Sequence, residues 1–120
     1  MILTGHVVSG LGRAAANVDV ASADLARVLG GVPFPGTLNV RLAAPFEPPP
    51  GAVPAVLPIL GQRAIPFYLY SARLGGVPVW VTRSLSQIEN TDDLLEIVAM
   101  VGLREHLNLK DGDLVRLELL

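Results

Sequence analysis

The chain contains no cysteine among its 120 residues. That excludes a disulfide scaffold and any thiolate metal site, and it fits a reducing compartment. Charge is also sparse, at 17% of residues, and no sign dominates: nine Lys and Arg stand against eleven Asp and Glu, for a net −2. A nucleic-acid surface carries a basic excess, so nucleic acid is not an expected partner. Pro, Gly or charge breaks every apolar run well short of the ~18 residues that suggest a membrane span, so no membrane association is expected. Residues 1–10 have no basic segment ahead of their apolar positions, so a signal peptide is not expected and a cytoplasmic location is.

What is present is apolar side chain, 51% of the sequence. This is too hydrophobic for disorder, and a chain of this length can bury a core as one domain, residues 1–120. Residues 43–58 hold six prolines and read as a stiff surface connection, since proline fixes φ and removes a backbone donor.

Strand signals dominate. Residues 2–9 read as a first strand, ended by Gly10-Leu11-Gly12, and residues 17–20 as a short second one. Ser22 is the expected N-cap of a two-turn helix, with Asp24 in its first turn, Leu25, Val28 and Leu29 at helical spacing, and Gly30-Gly31 as its stop. Residues 37–42 alternate strictly: Leu38, Val40 and Leu42 on one face, Thr37, Asn39 and Arg41 on the other. Residues 65–74 and 77–82 are strand-like around a Gly75-Gly76 hairpin turn. Residues 91–107 are open, because Leu94, Leu95, Val98 and Val101 suit a helix while 94–99 also suit a buried strand; 103–107 is a better local helix. Asp111-Gly112 marks a turn before a last strand with Val115, Leu117 and Leu119 on one face. Six or seven short strands and two short helices point to a mainly β chain, and a small barrel removes sheet edges.

Four places carry possible chemistry. Thr37 and Asn39 put two neutral oxygen donors on one strand face, a set that suits Mg2+ when phosphates supply the negative charge; from the pair alone an ordinary solvated face is the simpler reading, with both side chains toward solvent. Gly10-Leu11-Gly12 lets backbone approach a phosphate, with Arg13 beside it, or is simply a turn. Gly102-Leu103-Arg104-Glu105 would present helix N–H groups and a guanidinium to an anion, or an exposed arginine. Glu96, inside an apolar run, is either exposed or deliberately placed. His6 and His106 lack partners at metal spacing, Trp80 suits core or a pocket wall, and no pattern for covalent catalysis occurs.

The blocks Val7-Val8-Ser9-Gly10-Leu11-Gly12, Pro33-Phe34-Pro35-Gly36-Thr37-Leu38-Asn39-Val40, Leu95-Glu96-Ile97-Val98-Ala99, Leu103-Arg104-Glu105 and Leu107-Asn108-Leu109-Lys110-Asp111-Gly112-Asp113 occur in that order. In this the chain resembles the archaeal-type CTP-dependent riboflavin kinases over nearly its whole length. The resemblance implies a six- to seven-stranded cradle-loop β-barrel that transfers the γ-phosphoryl group of CTP to riboflavin, giving FMN and CDP. It implies nucleotide contacts at Gly10, Leu11, Gly12, Arg13, Val101, Gly102, Leu103 and Arg104, Mg2+ as cofactor on Thr37 and Asn39, and a flavin contact at Glu96. It also implies a strand at 94–99. Three segments depart from the family pattern: Ala14, Ala15 and Ala16 replace a glycine, a cation and an aromatic; Ile88 replaces a threonine; Met100 replaces a proline. These departures leave a second reading, a catalytically weakened or re-purposed barrel that binds a nucleotide or another small ligand. The oligomeric state is not set by the sequence.

Overall fold

The computed structural model describes residues 1–10, 12, 14–59, 62–84 and 93–120. In chain order its elements are β1 (Ile2–Val8), α1 (Ala14–Val20), α2 (Ser22–Leu29), β2 (Leu38–Leu42), β3 (Val53–Ile59), β4 (Gln62–Leu74), β5 (Val77–Ser84), β6 (Leu94–Val98), α3 (Leu103–His106) and β7 (Leu114–Leu119). All strand pairs are antiparallel, and the pairings β1–β2, β2–β6, β6–β5, β5–β4, β4–β7 and β7–β1 close a ring. The mainly β barrel expected from the sequence is therefore present, with seven strands and three helices rather than two among the described residues.

Alternation builds the ring. On β7, Val115, Leu117 and Leu119 are buried while Leu114, Arg116 and Glu118 are exposed. The same period turns Val40, Leu95, Ile97 and Val81 into one apolar cluster with Val7, Leu117 and Leu119. The hairpin between β4 and β5 turns on Gly75 (φ 55°) and Gly76 (φ 79°), two consecutive left-handed positions that match the strand twist and that side chains resist. Arg83 lies inside the ring at 1% exposure, its guanidinium 5.2 Å above the Phe46 ring and its Nη1 donating to the Leu94 carbonyl at 3.2 Å. Burial holds the neighbouring Tyr70 phenol above its usual range, against the opposing pull of Arg83.

A second apolar cluster lies outside the ring. Val18, Ala21 and Leu25, spaced three and four residues apart, pack with Leu57 of β3 and Val98 of β6. This spacing overturns the expected strand at 17–20, which is the second half of α1. Asn17 to Val20 alternate only over four residues; the longer window from the helix-favouring Ala14–Ala16 has helical period. Ser22 is not the N-cap: Ala21 occupies that position without a side-chain hydrogen bond, and its amide donates to the Asn17 carbonyl at 3.1 Å, running α1 almost into α2. The stop is as expected, with Gly30 as C-cap.

The proline-rich connection is corrected too, since Val53–Ile59 is a strand despite Pro54 and Pro58. Its described pairing is with β4 alone, so one side of β3 needs no ladder donors, and proline is tolerated there. The open segment at 94–98 resolves as strand β6: Leu95 and Ile97 face the ring interior while Glu96 alternates outward.

Candidate functional site

Two cavities meet at Thr37. The larger, about 420 Å³, lies outside the ring between the outer face of β2, β6 and β5 and the helices α1 and α2. Its wall is apolar at Val18, Leu25, Leu57, Phe67 and Val98, and its sheet side carries Thr37, Asn39, Arg41, Glu96 and Thr82. The smaller, about 220 Å³, is lined by Phe34, Gly36, Thr37, Leu38, Ile97, Ala99 and Val101 through Glu105. Thr37 borders both.

The chain places Thr37 by pinning the segment before it. The Phe34 amide donates to the Ala99 carbonyl at 2.8 Å, just beyond β6. The Phe34 ring lies against Gly102, 3.0 Å from where a Cβ would stand, so a side chain at position 102 would press on the ring that lines the smaller cavity. β2 then begins at Leu38, one residue after the expected start. The Thr37 hydroxyl donates to the Asn39 carboxamide oxygen at 3.3 Å. Two neutral oxygens are thus adjacent at the junction of the cavities, a donor set that fits a hard divalent cation.

Asn39 corrects one expectation. It does not face solvent; it is 7% exposed and forms the cavity floor. A Cβ on Gly10 would stand 2.2 Å from its Nδ2, so any side chain at position 10 would push this carboxamide out of place. Asn39 pairs across strands with Glu96, and Glu96 with Thr82. The Thr82 hydroxyl donates to the Glu96 carbonyl at 3.3 Å. Asn39, Glu96 and Thr82 are therefore one polar row across three strands. Arg41, further along β2, pairs with Asp93 at 2.8 Å on the cavity rim.

The residues expected to contact one nucleotide divide between the cavities. Gly10 borders the larger one, beside Ser9, whereas Val101, Gly102, Leu103 and Arg104 line the smaller. Gly12 is exposed, with φ 77°. Leu11, Arg13 and Ile88 lie outside the described residues. Ala15 and Ala16 are exposed on α1, which begins at Ala14 where the family pattern has a glycine and a cation. His6 and His106 are exposed. Thr82, Asn17 and Phe67 line the larger cavity unannounced by the sequence: each is ordinary on its own element and becomes part of a site only through strand register or helix docking.

The two ends of the site are joined by one carboxylate. Arg104 Nη2 donates to Asp111 Oδ1 at 2.6 Å and to the Val8 carbonyl at 3.3 Å, while the Ser9 hydroxyl donates to Asp111 Oδ2. The Ser9 hydrogen bond first, and Arg104 second, hold the Asp111 carboxyl below its usual range.

The family model of the CTP-dependent riboflavin kinases, Domain of unknown function DUF120, matches residues 7–119. The chain belongs to this family. It is 35% identical over 127 residues to a riboflavin kinase of Aeropyrum pernix, covering 99% of this chain and 96% of that protein. It is 35% identical over 122 residues to the riboflavin kinase of Pyrococcus abyssi, covering 97% and 57%, and 36% identical over 125 residues to that of Thermococcus kodakarensis, covering 99% and 59%. The chain thus spans nearly all of the first relative and about three fifths of the other two. Thr37, Asn39 and Glu96, the residues that the family resemblance singles out for metal and flavin, all border the larger cavity. No described helix is long and apolar enough to cross a membrane.

Proposed function

We propose that the protein is a CTP-dependent riboflavin kinase, a phosphotransferase that moves the γ-phosphoryl group of CTP to riboflavin to give FMN and CDP. The observation that carries this reading is the position of Thr37 on the shared border of two cavities. A kinase must hold donor and acceptor so that the phosphoryl group passes between them, and phosphoryl transfer depends on positioning and charge neutralisation more than on a strong base.

In this reading the larger cavity takes the flavin. Its apolar walls suit a planar ring, and few placed polar groups fix orientation; Glu96 accepts hydrogen bonds from the acceptor, with Thr82 steadying its strand. The smaller cavity takes the nucleotide, with Val101 to Arg104 and Phe34 around it, and Gly10 and Gly12 give the phosphates close access to backbone. Thr37 and Asn39 hold Mg2+, which neutralises charge on the phosphates. The two side-chain oxygens are neutral, so the nucleotide must bring the anionic ligands, and metal and nucleotide bind together. The protein works as one barrel domain in the cytoplasm.

Purified protein incubated with riboflavin, CTP and Mg2+ should give FMN and CDP in equal amounts by liquid chromatography. FMN from no nucleoside triphosphate at all would refute the reading. The start of α1 at Ala14, with helix-forming alanines where the family has glycine and a cation, favours one competing reading: a barrel that binds its ligands and transfers slowly or not at all. Binding of both CTP and riboflavin without turnover would establish that instead.

A further inference from the structure

Asp111 sits in the turn between α3 and β7, and that turn is anchored without its side chain. The Gly112 amide donates to the Val7 carbonyl at 2.7 Å, the Val7 amide to the Asp113 carbonyl at 2.9 Å, and the Asp113 amide to the Lys110 carbonyl at 3.0 Å. Asp113 caps the turn from within, accepting from the Lys110 amide at 2.8 Å. The Asp111 carboxylate is left for other work, and its two oxygens take separate partners: Arg104, which lines the smaller cavity, and Ser9, which lines the larger.

The Arg104 and Asp111 side chains are 42% and 53% exposed, and an ion pair that open to water adds little stability. What it fixes is direction. Arg104 reaches from a helix of only four residues, and a long side chain there has many rotamers to lose before it can serve a ligand. With Nη2 committed to Asp111 and to the Val8 carbonyl, the fork is held in one plane, and its Nη1 and Nε donors remain for an anionic or carbonyl acceptor.

We infer that Asp111 is a positioning residue for the nucleotide: it orients Arg104 on the wall of the smaller cavity and ties that wall to Ser9 at the edge of the larger one. This rests on reading the smaller cavity as the nucleotide site. The chemical class recognised is a nucleoside triphosphate, and Asp111 acts on it through Arg104 without contact of its own.

The test is steady-state kinetics and calorimetric CTP binding, in Mg2+, on the full chain. Asp111→Asn should raise the KM and Kd for CTP roughly tenfold, as loss of a hydrogen bond to a charged group does, with the riboflavin KM and kcat within about twofold of the wild type. In an Arg104→Gln background the same change should add nothing further to the CTP Kd, because the residue it positions is gone. Asp111→Glu keeps the charge but moves it by one methylene; it should also weaken CTP, and it answers the question if Asp111→Asn does not fold. The inference is overturned if folded Asp111→Asn or Asp111→Glu binds CTP as the wild type does. It is equally overturned if affinity for both substrates and the Tm fall together, the signature of a mere staple, or if the effects of Asp111→Asn and Arg104→Gln add. Wild-type protein that binds no nucleotide would overturn the reading of the smaller cavity as well.

Discussion

The two faces of β2, β6 and β5 are made from alternate residues of the same strands, yet they obey different rules. Val40, Leu95, Ile97 and Val81 point into the ring and are buried to within 1%. Asn39, Glu96 and Thr82, one residue away in each strand, form the polar floor of a 420 Å³ cavity. A filled interior holds the strands at fixed spacing, and that spacing is what sets the polar row. The lesson is that the polar row inherits its precision from residues on the opposite face of the same strands. A one-residue slip of β6 would bury Glu96 and expose Leu95 and Ile97.

This contrast can be broken most forcefully from the inside. Leu95→Ala removes a fully buried side chain that borders neither cavity and should cost about 2–5 kcal/mol of stability, read by denaturant unfolding; a loss below about 1 kcal/mol would mean the interior is not close-packed. The outward face should respond in the opposite sense. Thr37→Ala combined with Asn39→Ala should lower kcat/KM for CTP by about a hundredfold or more if the pair holds the metal, while the lost 3.3 Å hydrogen bond costs only about 1 kcal/mol of stability. Unfolding midpoints and Mg2+-dependent CTP binding, measured on one sample, separate the two effects. Next in size, Glu96→Gln should raise the riboflavin KM about tenfold and leave the CTP KM unchanged; an equal rise in both would unseat Glu96 from the flavin side.

The smallest effect belongs to pH. The folded Asp111 carboxyl lies below its unfolded value of 3.8, so its contribution to stability is complete above that value and disappears as pH falls through the lowered folded one. The stability difference between the wild type and Asp111→Asn should therefore shrink on acidification below about pH 4, as seen in thermal melts across pH. A difference that widens in acid would reverse the sign of the linkage.

Local pattern was enough for parts of this molecule and not for others. The alternation of β7, the Gly75-Gly76 hairpin and the Gly30 stop of α2 depend on neighbours in sequence, and they were legible. So was the Thr37–Asn39 pair, because i and i+2 on a strand are neighbours by geometry. Helix α1 was not, since four alternating residues at 17–20 outweighed the alanines before them. β3 was hidden by its prolines, whose cost depends on whether one strand side is free of pairing, a tertiary fact. Thr82 reaches the site through its register with Glu96, and Ser9 meets Asp111 across 102 positions; neither relation leaves a mark in local periodicity. The burial of Arg83 was equally invisible, since an arginine at a strand end reads as exposed.

β4 has thirteen residues and a divided edge. Its first part, through Leu69, pairs with β3, and from Ala72 to Leu74 it pairs on that edge with β7. One strand therefore belongs to two bodies: the closed ring, and an outer leaf of β3, α1 and α2 that reaches the ring through Val98 with Phe67 and Trp80. The pairings of the leaf are separate from those that close the ring. Amide hydrogen exchange should then step along a single strand, slow at 72–74 and faster at the β3-paired amides before Leu69, because cooperative units open with their own free energies. A flavin seated between leaf and ring would flatten that step, so exchange along β4 is also a gauge of occupancy.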